Sequence, residues 1–271
     1  MLDSHPESDA GPEHAGRADF VRAVVAAVAP LRRVPRFDAP LDTEALRGER
    51  VEVLEETEGW ARVRLQLDGY EGYVPSDALA APGPAPTHRV TALASFVFPA
   101  PDLKRPPLDR LGFGARVAVL AEHGGYARIE DGFVWARHLS PMHAYASDFV
   151  AVAEGFLGVP YLWGGRSALG LDCSGLLQLA LGAAGIPAPR DSGPQEAELG
   201  HEVPDRDVGL RRGDLVFWPG HVGIMRNGVE LLHANAHHMA VAIEPFAAAR
   251  ARIAAAGHEV RRVKRLGSGA A

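Results

Sequence analysis

The chain contains one cysteine, Cys173, and it stands at the start of an apolar run that ends at Gly185. The Leu, Gln and Ala residues of this run predict a buried helix that begins at the cysteine. A thiol in the first turn of a helix lies among unpaired backbone N–H groups, which lower its pKa and can hold an oxyanion. Because free cysteines are also among the most buried residues, a role as a small core residue is the alternative.

Two histidines could supply the base that a reactive thiol needs. His221 opens one strand-like run and His233 nearly closes the next, with the sequence RNG between the runs. A three-residue loop with Gly228 in the left-handed conformation would pair Met225 with Val229. This register places the two imidazoles opposite each other, as a base and a group that orients it. A two-residue Asn-Gly turn would instead place them on opposite faces, and a histidine on a strand is often structural.

Composition limits the classes of protein to which the chain can belong. The apolar fraction of 47% suffices for real cores, and the net charge of −6 comes without a basic cluster, so we expect a globular protein that does not bind nucleic acid. A single cysteine excludes an intramolecular disulfide framework. The acidic N-terminus does not resemble a secretory signal, and no apolar run is long enough to span a membrane. The sequence therefore predicts a soluble cytoplasmic protein.

An internal repeat precedes the cysteine. Residues 48–63 (GERVEVLEETEGWARV) and 114–129 (GARVAVLAEHGGYARI) are identical at nine of sixteen positions. Alternating apolar residues, glycine turns and aromatic-led strands in both copies predict two small β-barrels. The spacing resembles that of bacterial SH3-like domains, which serve as spacers or as binding modules. The segment Phe20 to Val28 has a helical tendency and receives no role.

The C-terminal half has a different pattern. Ser147 to Leu157 predicts a helix, and four strand-like runs follow the cysteine helix at 213–220, 221–228, 229–235 and 239–246. Helices packed on an antiparallel sheet make an α+β domain. The predicted organisation is an N-terminal segment at 1–30, SH3-like domains at 31–82 and 86–141, and a catalytic domain at 142–271.

Three blocks carry a more specific resemblance: PYLWGGRSALGLDCSGLLQLAL, RRGDLVFWPGHVGIM and LLHANAHHMAVAI. Together they resemble the NlpC-type family of papain-like cysteine peptidases, which cut bacterial cell-wall peptides. The resemblance implies that Cys173 is the nucleophile, that His221 is the general base and acid, and that His233 orients it. It implies hydrolysis through a thioacyl intermediate, with the Cys173 N–H and Tyr161 holding the oxyanion, and it requires no cofactor.

The whole layout is similar to γ-D-glutamyl-L-diamino acid endopeptidases that act on free murein peptides during recycling. In these relatives, an acid and a tyrosine of the preceding domain recognise the free amine of L-Ala-γ-D-Glu. The resemblance implies a substrate pocket in which Asp172 faces the amine, lined by Tyr161, Asp172, Ser174 and Ser192. Our candidates from the first SH3-like domain are Glu49 and Tyr70, with Glu55, Glu56 and Tyr73 as alternatives.

Metal binding, a glycine pair and other functions of the same fold are the further interpretations of the sequence. His237 and His238 adjoin His233, but the chain has no HExxH motif and no cysteine pair, so we expect no metal site. The Gly164-Gly165 pair is expected to allow a close approach of backbone to the substrate or to the first SH3-like domain. The same fold could also serve a secreted wall-remodelling hydrolase, an acyltransferase or a non-catalytic wall-binding scaffold.

Overall fold

The computed structural model describes residues 20–204 and 209–267. Within these ranges two β domains precede an α+β domain, and none of the helices is long and apolar enough to cross a membrane. The predicted N-terminal segment lies outside the described residues as far as residue 19. The α+β fold class predicted from the sequence is confirmed.

The first β domain (Val21–Ala80) is one antiparallel sheet of seven strands around its own apolar core. The predicted helical tendency of Phe20 to Val28 is wrong, because Val21–Val24 pairs with two other strands of this sheet. Valine favours extended backbone, and pairing with neighbouring strands decides the conformation. The domain therefore starts before residue 31. Its strands are β1 (Val21–Val24), β2 (Val28–Arg32), β3 (Leu41–Leu46), β4 (Arg50–Thr57), β5 (Trp60–Leu65), β6 (Glu71–Pro75) and β7 (Leu79–Ala80).

The second β domain (His88–Pro141) has three small antiparallel sheets around a separate core. The repeat is visible in its backbone, because Gly59 and Gly125 occupy equivalent turns and both have a φ of 82°. Only glycine adopts this conformation without strain. The strands are β8 (His88–Val90), β9 (Ala94–Val97), β10 (Asp109–Gly112), β11 (Arg116–Val117), β12 (Ala121–His123), β13 (Tyr126–Ile129), β14 (Gly132–Trp135) and β15 (Leu139–Pro141).

The α+β domain has a six-stranded antiparallel sheet in the order β18-β23-β19-β20-β21-β22. The cysteine helix packs on one face of this sheet and the C-terminal helix on the other. A two-stranded ribbon, β16 (Arg166–Ser167) and β17 (Gly170–Leu171), precedes the cysteine helix. The strands of the main sheet are β18 (His201–Glu202), β19 (Leu215–Trp218), β20 (His221–Met225), β21 (Glu230–Asn235), β22 (Ala240–Pro245) and β23 (Arg262–Arg265).

Four α-helices complete the described part of this domain. The predicted cysteine helix is observed as α2 (Cys173–Ala183), and the predicted first helix is observed as α1 (Phe149–Glu154). The carboxylate of Asp148 caps α1 by accepting hydrogen bonds from the N–H groups of residues 150 and 151. Two further helices were not predicted from the sequence, α3 (Ser192–Glu198) and α4 (Phe246–Ala255).

Candidate active site

Cys173 is the first residue of α2, as the sequence predicts. The preceding residue, Asp172, caps the helix through a 2.7 Å hydrogen bond from the N–H of Gly175. The thiol lies beside the N–H groups of Ser174 and Val222, and the latter residue follows His221 in β20. The packing of α2 on the sheet therefore brings the cysteine to the strand that begins with the histidine.

The protonation of the thiol differs from the sequence expectation. Burial, reinforced by the charge of Asp172, raises the pKa of the Cys173 thiol to about 11. The N–H groups of Val222 and Ser174 lower the same pKa by less. The predicted depression of the thiol pKa at a helix N-terminus is therefore wrong for this state of the protein, because desolvation of the thiolate is the larger effect.

A tight hairpin positions His221. Pro219 and Gly220 connect β19 to β20, and Trp218 pairs directly with His221. Gly220 has a φ of 71°, so the two connecting residues match a type II turn with proline first and glycine second. The histidine is consequently held at the corner of the hairpin, where the sheet ends.

The next hairpin closes differently from the prediction. Met225 pairs with Leu231 rather than with Val229, so the register is displaced by two residues. The side-chain oxygen of Asn227 accepts hydrogen bonds from the N–H groups of Val229 and Glu230, both at 2.9 Å. Gly228 is not left-handed, contrary to our expectation. The Asn227 side chain therefore organises this loop.

The two histidines still meet, because a displacement of two residues preserves the face of a strand. Nε2 of His221 lies 2.8 Å from Nδ1 of His233. The imidazoles are diagonal neighbours across β20 and β21 rather than directly opposite. His233 is fully buried, whereas His221 is partly exposed at the sheet end. This arrangement suits a base and its orienting group.

Two further residues extend this chain and were missed from the sequence. Nε2 of His233 lies 2.9 Å from Oε1 of Glu244 on β22. Arg252 on α4 donates to both oxygens of this carboxylate, each at 2.7 Å. The EPF segment that contains Glu244 suggests only a strand end, so no local signal marks it as part of the site.

The site histidines are neutral near pH 7. Burial, together with the charges of His233 and Arg252, lowers the pKa of His221 to about 3, although Glu244 opposes this shift. Burial also lowers the pKa of His233. Burial disfavours ionisation of Glu244, but hydrogen bonds from His233 and Arg252 hold the pKa of its carboxyl well below the usual range. The resting site therefore contains a thiol, two neutral imidazoles and a carboxylate.

Arg190 organises the other side of the nucleophile, and sequence reasoning missed it as well. Its guanidinium is buried and contacts both oxygens of Asp172, at 2.9 and 2.7 Å. It also donates to Ser174 Oγ at 2.9 Å and to Thr43 Oγ1 of the first β domain at 2.7 Å. Asp172 thus has its charge balanced within the protein. These contacts favour a structural role for Asp172 over the predicted contact with a substrate amine.

The remaining predicted pocket residues of the α+β domain lie in different surroundings. Burial is the main factor that raises the pKa of the Tyr161 phenol to about 12. The neighbouring Cys173 and Asp172 raise the same pKa further. The phenol is therefore a proton donor near the thiol. Ser174 is buried against Arg190, and Ser192 is half-buried at the start of α3.

The structure does not bring Glu49 to the site, which corrects the prediction from the sequence. The Glu49 carboxylate is buried and forms an ion pair with Arg166. It also accepts a hydrogen bond from the N–H of Leu46 at 2.9 Å. This carboxylate holds the first β domain against the α+β domain and is not available to a substrate amine.

Tyr70 does face the α+β domain, in a cleft between the two. A cavity of about 470 Å³ is lined by the loop that carries Asp68 and Tyr70 and by residues 187–191. Partial burial, followed by the charges of Asp191 and Asp42, raises the pKa of Tyr70 to about 12. Burial and the surrounding carboxylates also raise the pKa of Asp191. The first β domain contributes Asp68 to the lining of the cleft, and this carboxylate accepts hydrogen bonds from neutral groups, the N–H of Tyr70 and the amide of Gln178. Asp42 lies near Tyr70 but is paired with Arg33 at 2.7 Å, so Asp68 is the acid that the first β domain offers to a ligand in the cleft.

The Gly164-Gly165 pair lies against the first β domain, one of the two approaches expected. A Cβ atom on Gly164 would lie 2.6 Å from the carbonyl oxygen of Leu41, and Gly164 has a φ of 76°. Only glycine fits this position. The N–H of Gly164 also donates to Asp172 Oδ2 at 2.9 Å, so this contact supports the helix cap as well.

His233, His238 and Glu244 form a cluster of metal-ligating side chains. Ligand atoms of His233, His238 and Glu244 lie within 4.8 Å of one another. Glu244, however, already accepts two hydrogen bonds from Arg252 and one contact from His233. A divalent cation would have to displace or repel the guanidinium. The donor set therefore fits a hydrogen-bonded chain better than a metal centre.

Comparison with known proteins agrees with this site. A family model described as the bacterial dipeptidyl-peptidase Sh3 domain matches residues 31–79, and the NlpC/P60 family model matches residues 158–252. A gamma-D-glutamyl-L-lysine dipeptidyl-peptidase of Bacillus subtilis is 31% identical over 222 residues, which cover 73% of this chain and 73% of that protein. The chain belongs to the NlpC/P60 family. It is a cysteine peptidase with Cys173 in the NlpC/P60 segment.

Two further proteins are similar to this chain in sequence or in fold. Dipeptidyl-peptidase 6 of Lysinibacillus sphaericus is 29% identical over 78% of this chain and 86% of its own length. The crystal structure of an NlpC/P60 family protein from Bacillus cereus superposes with a TM-score of 0.75, at 22% identity, over 90% of this chain and 99% of that one. This likeness confirms the fold of the NlpC/P60 peptidase.

Proposed function

We propose that this NlpC/P60 peptidase hydrolyses the bond between γ-D-glutamate and an L-diamino acid in free murein peptides that begin with L-alanine. The observation that carries the proposal is the acidic cleft between the first β domain and the α+β domain. The cleft leads to Arg190, whose guanidinium also contacts Asp172 beside Cys173. The proteins most similar to this chain include two whose names specify a γ-D-glutamyl-L-lysine dipeptidyl-peptidase.

The charge of the cleft matches a free amino terminus. Asp68 and Asp191 line the cleft, and the arginine of its lining, Arg190, is already engaged by Asp172. A carboxylate in a partly desolvated cleft binds an ammonium group strongly and does not bind an N-acylated peptide in that way. We assign Asp68 and Tyr70 as the contribution of the first β domain, with Asp68 in the place we had given to Glu49, because Asp42 is already paired with Arg33.

The residues of the site can carry out the hydrolysis. Nδ1 of His221 takes the thiol proton as the Cys173 sulfur attacks the γ-carbonyl carbon, because the resting thiol and imidazole are both neutral. The Cys173 N–H and the Tyr161 phenol stabilise the oxyanion. His221 then protonates the departing amine as the C–N bond breaks. It next deprotonates the water that cleaves the thioester, and the thiol is regenerated.

The biological setting belongs to the same proposal. A peptidase that needs a free amino terminus acts on murein fragments that have already lost their glycan, which is the chemistry of cell-wall peptide recycling. We propose that this reaction takes place in the cytoplasm and needs no cofactor.

The experiment compares L-Ala-γ-D-Glu-meso-diaminopimelate with its N-acetylated form, using mass spectrometry to detect products. The wild type should release L-Ala-γ-D-Glu from the free peptide only, and Cys173→Ala should abolish the reaction. Asp68→Asn should weaken the preference for the free amine, whereas Glu55→Gln, at an exposed residue of β4, should not.

Each contrary result has a definite meaning. Equal cleavage of both peptides would overturn the amine-reading cleft and favour wall remodelling. Transfer of the acyl group to an added amine, in preference to water, would favour an acyltransferase. No cleavage of either peptide by folded wild-type protein would overturn the proposed substrate.

A further inference from the structure

We propose that Glu244 is a positioning residue that sets the tautomers of His233 and His221, so that Nδ1 of His221 is free to take the thiol proton. The inference deepens the proposed function and rests on it. Its evidence is a continuous hydrogen-bonded chain across three strands, His221 to His233 to Glu244, which Arg252 closes from α4.

The tautomers follow from donors and acceptors along this chain. An ionised carboxylate only accepts, so the proton between Glu244 Oε1 and His233 resides on Nε2 of His233. A neutral imidazole has a single N–H, so Nδ1 of His233 is an acceptor. At 2.8 Å from it, Nε2 of His221 must be the donor. Nδ1 of His221 then carries a lone pair, as a base requires.

The carboxylate of Glu244 supplies the acceptors at the end of this hydrogen-bonded chain. The guanidinium of Arg252 has donors and no acceptor, so it requires oxygen atoms from residue 244. Oε1 of Glu244 accepts from both His233 and Arg252, so in Glu244→Gln an amide oxygen in the place of Oε1 still accepts from both and the tautomers are kept. In Glu244→Met, Nε2 of His233 loses its acceptor, the tautomers are no longer fixed, and Nδ1 of His221 carries the proton in part of the molecules. The base is blocked in that fraction, although the volume of residue 244 is nearly retained.

The groups that surround the two imidazoles define the pH dependence. Burial is the main cause of the low pKa of His221, and the Glu244 charge partly opposes it. Removal of that charge therefore lowers the pKa of His221 further, and the acid limb of kcat/KM moves to lower pH. The facing groups are Cys173 of α2, Trp218 of β19, Glu244 of β22, Arg252 of α4 and His238 of the β21–β22 loop.

The primary test is a long-range ¹H–¹⁵N NMR spectrum of histidine-labelled full-length protein, which needs no substrate. Wild type and Glu244→Gln should show both His221 and His233 as Nε2–H tautomers, and Glu244→Met should show a second population of both with the proton on Nδ1. A wild-type His221 with its proton on Nδ1 would overturn the proposal, as would a folded Glu244→Met protein whose tautomers match those of the wild type. The wild-type spectrum decides the matter even where the variant does not fold.

Kinetics supply the second test. Glu244→Met should lower kcat by at least about tenfold with little change in KM. Alkylation of Cys173, the chain's single cysteine, by iodoacetamide should slow in parallel. The conservative Glu244→Gln should recover most of this loss, because its oxygen still accepts from His233. The control is Glu154→Met, at a carboxylate that is also paired with arginine, in this case Arg212 and Arg226.

The outcomes separate this inference from the proposed function. A second tautomer population and slowed alkylation in Glu244→Met, together with a wild type that leaves murein peptides intact, would reject the substrate and keep the role of Glu244. Cleavage of the peptide at equal rates by Glu244→Met and Glu244→Gln, with no shift of the acid limb, would keep the substrate and reject the positioning role.

Discussion

The two β domains share a sequence repeat but contact opposite ends of the helix that carries Cys173. The first domain reaches the N-terminal end, where Thr43 binds Arg190 and Arg190 binds the helix cap Asp172. The second domain reaches the C-terminal end, where Arg89 donates to the carbonyl of Gly182 at 3.5 Å. The first domain therefore contacts the end of α2 that carries the nucleophile, and the second domain contacts the end away from it.

The end of α2 that each β domain contacts decides what that domain contributes to the protein. Near the start of α2 the first domain contributes a buried ion pair, between Glu49 and Arg166, and one wall of the acidic cleft. At the other end the second domain contributes Phe113, which packs in the core of the α+β domain and contacts the ring of Phe156 at 5.0 Å. We therefore expect changes in the first domain to alter substrate binding, and changes in the second to alter stability alone.

The largest effect is expected at the link between the first β domain and the nucleophile. Arg190→Met leaves the buried carboxylate of Asp172 without its partner, which should cost about 3–5 kcal/mol of unfolding free energy. A displaced helix start should also lower kcat/KM by about 100-fold. Urea unfolding and peptide kinetics measure the two effects.

Arg212→Met is the matched control for this change. Like Arg190, Arg212 forms ion pairs with carboxylates, in this case those of Asp148 and Glu154. Its side chain, however, is 37% exposed. Its loss should change stability by less than about 1 kcal/mol and leave the kinetics unchanged. Normal kinetics in a folded Arg190→Met protein would contradict the role assigned to the first domain.

The second domain provides the contrasting case. Phe113→Ala should lower the unfolding free energy by about 3 kcal/mol, because it opens a cavity in the core beneath α2. The KM of the folded fraction should stay at the wild-type value. Phe96→Ala, at a side chain that is 47% exposed in the same domain, controls for surface changes. A raised KM in Phe113→Ala would show that the second domain also shapes the substrate cleft.

A smaller effect is expected in the acidic cleft. Asp68→Asn should raise KM for the free-amine peptide by at least about tenfold and leave kcat nearly unchanged, since a hydrogen bond to a charged group contributes about 1.5–3 kcal/mol. Tyr70→Phe should act in the same direction. The measurement is steady-state kinetics on the free and N-acetylated peptides, and an unchanged preference would place the amine elsewhere.

The smallest effect is expected at the C-terminal end of α2. Arg89→Met removes a cation from that end and a contact of 4.7 Å with the Tyr145 ring. The loss should be about 1 kcal/mol of unfolding free energy with unchanged kinetics. Thermal unfolding at low and high salt tests this, because salt weakens the charge contribution. A loss of activity would break the contrast between the two domains.

Part of the site could be predicted because its signals are local. The helix that begins at Cys173 follows from the run of helix-forming residues, and the shared face of the histidines depends only on the parity of the register. Glu244 and Arg252 could not be predicted, because their role depends on pairing of β21 with β22 and on packing of α4. Arg190 likewise gains its meaning only from a residue of another domain, Thr43.

The sequence by itself determined the fold class, the repeat, and the residue types and spacing of the nucleophile and its two histidines. Short-range propensities and strand periodicity suffice for these features. The tertiary structure alone decided that Asn227 shifts the hairpin register, that burial raises the thiol pKa, and that Glu49 is an ion-pair partner. The thiol pKa depends on desolvation and the Glu49 ion pair on a partner distant in the chain, and no local pattern encodes either. The hairpin register is local, but several turns fit its sequence, and the Asn227 side chain selects one of them.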